Sequence, residues 1–164
     1  MALTQGTDTY ITLADADTYI ATMPGDYPTV WDALADAAKE KFLTRATRYL
    51  DNAYRNTWVG DLYVSTQVLS WPRIGYDNQG RVIDGLYPDY LGYAQCEVAA
   101  RMANEEELNT DQDRAGWIEK ERLGPIETVW NSNAPMGTTY PEIEDLLWLY
   151  LNNTQGSTAT LVRV

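Results

Sequence analysis

Histidine is absent from this 164-residue chain, cysteine and phenylalanine occur once each, and no apolar run approaches the roughly 18 residues of a membrane-spanning helix. Without histidine, Ser-His-Asp and Cys-His triads and His-ligated zinc sites are excluded. With Cys96 alone, no disulfide can form within the chain, and no cationic sequence neighbour lowers its pKa, so it reads as a small packing residue. The glycines between residues 75 and 85 are too widely spaced for a phosphate loop, and no Gly-Lys-Ser/Thr follows them. Asp111-Gln112-Asp113 lacks the glycine and the distant glutamate of a calcium loop. No cofactor, metal or enzymatic activity is expected. Only a two-carboxylate mechanism survives elimination, and acidic pairs such as Asp15/Asp17 are explained by the abundance of acid alone.

Basic residues are also scarce. Twelve stand against 24 acidic ones, a formal net charge of −12, and such a field repels nucleic-acid phosphates and anionic membranes. The N-terminal residues show neither the basic nor the apolar segment of a secretory signal, so residence in a reducing cytoplasm is expected. The aromatic set is 12 Tyr and 6 Trp. These side chains join a large apolar body to a polar tip, which suits either a core with satisfied tips or a half-wet contact surface.

The patterning predicts a mainly α fold, a small bundle of about four helices with minor β elements and an extended C-terminal tail. Residues 1–156 form one helical domain and residues 157–164 the tail. Thr12-Leu13-Ala14-Asp15 reads as a capping box variant opening a helix over residues 13–23. Apolar residues at steps of three and four, including Trp31, Leu34, Phe42, Ala46 and Leu50, predict one long helix over residues 30–53. Its other face, with Asp32, Asp36, Lys39, Glu40, Lys41, Arg45 and Arg48, reads as solvated or subunit-facing. A loop or short β excursion fills residues 56–84. A third helix starts at Pro88 and runs to about residue 107, with Leu91, Ala94, Gln95, Val98 and Met102 as its buried stripe. Residues 109–114 and 131–138 read as loops, and 117–130 as extended structure on both sides of a Gly124-Pro125 bend. The last helix opens at Tyr140-Pro141-Glu142 and stops at Asn152-Asn153. The β-prone tail is either disordered or paired with another chain. Ser70-Trp71-Pro72-Arg73 reads as a structural turn or a contact loop, with Arg73 able to stack on the indole.

An ordered set of residues carries a family resemblance. Thr9-Tyr10-Ile11, Leu13-Ala14-Asp15-Ala16, Trp31, Lys39-Glu40-Lys41, Tyr49-Leu50-Asp51, Trp58, Gly60, Trp71-Pro72-Arg73 and Gly75 are followed by Pro88, Cys96-Glu97, Gly124-Pro125-Ile126 and Tyr140-Pro141. The set resembles tailed-phage head-tail adaptor (head completion) proteins, a subset of which is labelled DnaT-like single-stranded DNA-binding protein. The resemblance implies a twelve-fold ring beneath the portal protein in the virion neck. One side would meet the portal and the other a downstream neck or tail protein, around a channel that passes the double-stranded genome without gripping it. It also implies a tail that docks on a partner. The expected interface residues are Trp58, Trp71, Arg73, Tyr87 and Trp130, with Thr160, Leu161, Val162, Arg163 and Val164 of the tail. The alternative is a single-stranded DNA binder, which needs a positive groove beside stacking aromatics. The basic residues between Lys39 and Arg55 alternate with acids, so that groove is not evident in the sequence.

Overall fold

The computed structural model describes residues 3–106, 120–123, 126–129 and 140–152. Trp130, Thr160, Leu161, Val162, Arg163 and Val164 lie outside the described residues, as do the loops expected at 109–114 and 131–138.

The fold is mainly α with minor β. Helices α1 (Leu13–Ile20), α2 (Tyr27–Asp32) and α3 (Asp36–Ala53) are followed by three short strands, β1 (Asp61–Leu62), β2 (Arg73–Tyr76) and β3 (Val82–Asp84). Helix α4 (Asp89–Ala103), the pair β4 (Lys120–Leu123) and β5 (Ile126–Val129), and helix α5 (Pro141–Leu147) complete it. The first three strands form an antiparallel sheet in the order β1-β2-β3, and β4 pairs with β5; both lie in the stretch expected to be extended, whereas Gly124 and Pro125 lie outside the described residues.

Helix α4 is central, with α1, α2, α3 and α5 packed around it. It can be surrounded because its stripe is wide and built of small residues: Gly92, Ala94, Cys96, Ala99 and Ala100 are buried beside Leu91 and Val98. A Cβ on Gly92 would stand 3.2 Å from the Ile11 side chain, so glycine sets how closely the N-terminal segment can approach. Cys96 is buried here, and burial raises its thiol pKa, in keeping with packing.

One polar side chain ties this core together. Gln95 is fully buried; its amide donates to Thr9 Oγ1 (2.7 Å) and to the Leu43 carbonyl (2.9 Å), while its oxygen accepts from the Tyr10 N–H (2.9 Å). Three segments distant in sequence meet on this amide. A buried polar group is tolerated when its bonds are made, and here both ends are satisfied.

The expected first helix keeps its cap: Thr12 Oγ1 accepts the Asp15 N–H at 3.2 Å. The expected helix over residues 30–53 is two helices. Pro28 sits in the first turn of α2, and Ala35 leaves the helical region (φ −70°, ψ 148°) before α3 starts. No glycine or proline marks this break. Its physical reason is tertiary: the Asp17 carboxylate accepts from Trp31 Nε1 (2.7 Å) and Lys39 Nζ (3.0 Å), joining α1 to α2 and α3. Lys39, expected on the solvated face, is only 7% exposed and lies over the Trp31 ring. The third and last helices end earlier than expected, at Ala103 and Leu147. No helix among the described residues is long and apolar enough to cross a membrane.

Candidate interaction surface

The sheet is anchored on its inner side by aromatic rings. Tyr54, Trp58, Trp71 and Tyr150 form an edge-to-face series with centroid separations of 5.7, 5.9 and 5.4 Å. Trp58 is 4% exposed and Trp71 0%, so these two expected interface residues are core residues of the chain. Their indole N–H groups find no acceptor among the described residues, and the cluster is held by apolar burial and ring geometry. The chain after α5 closes it. Val59 N–H donates to the Tyr150 carbonyl (2.9 Å), and the Asn78 amide reaches the Trp148 (2.6 Å) and Leu151 (2.7 Å) carbonyls.

Arg73 is likewise internal in role. Its guanidinium donates to the carbonyls of Val59 (2.7 Å), Ser70 (3.2 Å) and Gly60, pinning the approach to β1 against β2. The expected stacking on the adjacent indole does not occur, because three loop carbonyls take up the donors. Gly60 and Gly75 permit this close crossing: both have positive φ, and a Cβ on Gly60 would stand 2.5 Å from the Ile74 carbonyl oxygen.

The outer face of the sheet is different. Register pairs Tyr76 with Val82, and Ile74 with both Asp61 and Asp84, whereas Gly75 and the buried Ile83 face inward. Val82 is 71% exposed and Tyr76 66%, and Ile74 is exposed beside them. Among the described residues, eight of the ten exposed large hydrophobic side chains fall between residues 62 and 86. Four of these eight lie in the strands, and three of them, Ile74, Tyr76 and Val82, share the outer face, which makes that face a candidate interaction surface. The sequence showed this segment as punctuated and non-helical; the strand alternation that would have revealed its outer face is too short to read in strands of two to four residues.

Tyr87, another expected interface residue, is half-buried and separates two surface clefts. The larger, about 490 Å³, is lined by Tyr10, Tyr19, Tyr87 and Tyr93 with Asp15 and Asp89, and by no lysine or arginine. Tyr19 and Tyr93 stack at 4.6 Å. The Tyr19 hydroxyl donates to Glu97 (3.2 Å), and burial with this carboxylate raises the phenol pKa. The second cleft, about 450 Å³, runs between β3 and Tyr150 and includes Asp84 and Asp89.

Most described cations are committed elsewhere. Lys39 is paired with Asp17, Arg81 with Asp77 (2.7 Å), and Arg101 with Glu97, Glu106 and Glu142, while Arg101 also lies over the Tyr27 and Tyr140 rings. Burial pushes the Glu106 carboxyl upward, but hydrogen bonds from Tyr27 and Asn104 and the Arg101 charge outweigh it, so its pKa lies below the ordinary glutamate value. Lys41, Arg45 and Arg48 are exposed on α3 and make no ion pair among the described residues. Their spacing of four and three places them on one face of the helix.

No group of residues among those described is arranged to hold a metal ion. What the surface offers is a sheet face where Ile74, Tyr76 and Val82 stand exposed with Asp61 and Asp84, tyrosine-lined clefts with carboxylates, and a short cationic stripe.

No curated protein and no solved structure matches the chain. A family model described as "Putative DnaT-like ssDNA binding protein" matches residues 2–164. The match spans nearly every residue, so the chain belongs to the family of DnaT-like ssDNA-binding proteins that this description names.

Proposed function

We propose that this protein is a structural adaptor that works by docking on other proteins, as a head-tail adaptor in the neck of a tailed phage. The observation that carries this reading is the outer face of the β1-β2-β3 sheet, where Ile74, Tyr76 and Val82 stand exposed together. Apolar side chains on a sheet gain from meeting an apolar partner surface, about 25 cal/mol per Å² removed from water, and gain nothing from phosphate. The net charge of −12 supports a molecule that lets DNA pass without retaining it. The ordered residue set that resembles head-tail adaptors supplies the setting: a ring beneath the portal protein, in the virion, with a downstream neck or tail protein on its far side.

The test is co-migration with the portal protein encoded by the same genome, by size exclusion across a range of salt. Binding is expected for the natural chain and is expected to be lost when Ile74, Tyr76 and Val82 are all replaced by serine. Absence of co-migration at every salt concentration overturns the reading.

A second reading, single-stranded DNA binding, is favoured by the family description and by the free cationic stripe Lys41-Arg45-Arg48. Such proteins combine backbone-tracking cations with stacking rings. Against it, the exposed tyrosines lie on the sheet and at the start of α4, and the cleft tyrosines sit beside Asp15 and Asp89. Three phosphate contacts predict a slope of about −2 for log K against log salt on a single strand. A gel shift showing that slope, abolished by Lys41→Gln with Arg45→Gln and Arg48→Gln, would establish it. Unaltered oligonucleotide mobility at low salt removes it.

A further inference from the structure

We infer that the cationic stripe of α3 docks on the tyrosine- and aspartate-lined cleft of a second copy of this chain, forming a head-to-tail contact between two different faces. The inference deepens the adaptor reading and rests on it for the expectation that copies meet.

Both halves of the contact are present in the molecule, and neither meets an opposite charge among the described residues, although Asp15 accepts a hydrogen bond from the Thr12 hydroxyl (2.6 Å). Lys41, Arg45 and Arg48 project from one face of α3, exposed and without an ion pair among the described residues, on a protein whose other described cations are nearly all engaged. Seven residues of helix separate the first from the last, about 10 Å along the axis, so the stripe has the length of a small cleft. The cleft of about 490 Å³ between the N-terminal segment, α1 and the start of α4 carries Asp15 and Asp89 and no basic lining residue. Its tyrosines suit arginine in particular, since a guanidinium can lie over a ring face while it bonds a carboxylate. Lys39 over Trp31 and Arg101 over Tyr27 and Tyr140 show the chain using this chemistry internally. A nucleic-acid strand could satisfy the stripe but would be repelled by the cleft; a second copy satisfies both. A contact joining unlike faces repeats from copy to copy and closes into a ring when its rotation allows.

The experiment is a charge exchange followed by sedimentation velocity on the full chain. One variant carries Lys41→Glu, Arg45→Glu and Arg48→Glu, all at exposed helix positions; the other carries Thr18→Lys and Asp89→Lys in the cleft. Both are checked for native melting, and Arg45→Gln with Arg48→Gln serves as a milder stripe variant. At about 0.1 M salt, where a screening length of about 10 Å damps the repulsion between copies of net charge −12 and leaves charges in contact less affected, the natural chain is expected to self-associate with increasing concentration. Each charge-reversed variant alone is expected to associate at least tenfold more weakly, and a mixture of the two to recover association. Lack of association by the natural chain, or association indifferent to either set, overturns the contact. So does a stripe variant that loses oligonucleotide binding while self-association persists. Loss of self-association with portal binding intact counts against this contact alone, whereas loss of portal binding in the natural chain counts against the adaptor reading.

Discussion

The helical body and the three-stranded sheet solve the same problem in opposite ways. In the body, α4 is enclosed by four helices and its one buried amide, Gln95, has its bonding capacity met by Thr9, Tyr10 and Leu43. The sheet buries little of itself: only Ile83 of its three strands is buried, and its outer face holds exposed Tyr76 and Val82. It is held from behind, by the Trp58/Trp71 rings and the Arg73 guanidinium. The difference teaches how each region treats its apolar side chains. The body uses them to fold the chain and leaves mainly charge on its surface, whereas the sheet leaves Ile74, Tyr76 and Val82 facing water.

This contrast can be broken most strongly at the anchor. Trp71→Ala removes the fully buried ring on which Trp58 and Tyr150 both lean, and is expected to cost about 4 kcal/mol, measured by denaturant unfolding. A loss below about 1 kcal/mol would show that the sheet is held by other means. Gln95→Leu, in the body, leaves the Tyr10 N–H without its acceptor, while the Thr9 hydroxyl keeps Ile11 and the Leu43 carbonyl keeps Thr47, and is expected to cost about 2 kcal/mol in the same measurement. The smallest effect sharpens the comparison: Tyr76→Thr with Val82→Thr should change stability by less than about 0.5 kcal/mol, because both side chains already face water. A large destabilisation there would mean that the outer face serves folding after all.

The same contrast governs what could be read from the sequence. The α4 stripe, the Thr12 cap and the extended segments before and after Gly124-Pro125 were legible because each is a local signal: period, side-chain chemistry, or a backbone breaker. The break between α2 and α3 was not, since Ala33, Leu34 and Ala35 all favour helix and the reason for the break is a carboxylate on α1. Lys39 was misplaced for the same reason; its partner Asp17 is 22 residues away. For the candidate surface, the sequence singled out Trp58 and Trp71 as large rings with polar tips and Arg73 as part of the Trp71-Pro72-Arg73 string. Such side chains suit a partner contact and a scaffold equally, and all three turned inward. The apolar face itself is built of ordinary residues, Ile74, Tyr76 and Val82, and becomes visible only once register shows them side by side. The cationic stripe stood in the sequence, but its freedom depends on which neighbouring acids are already taken.

The strip of chain just past α5 is sewn at both margins, by Val59 and Thr57 on one side and by the Asn78 side chain on the other. Asn78 lies in the β2–β3 turn, itself braced by Asp77 and Arg81. A mechanical load applied beyond Asn152 would therefore travel into the hairpin and the tryptophans behind it before α5 could peel away.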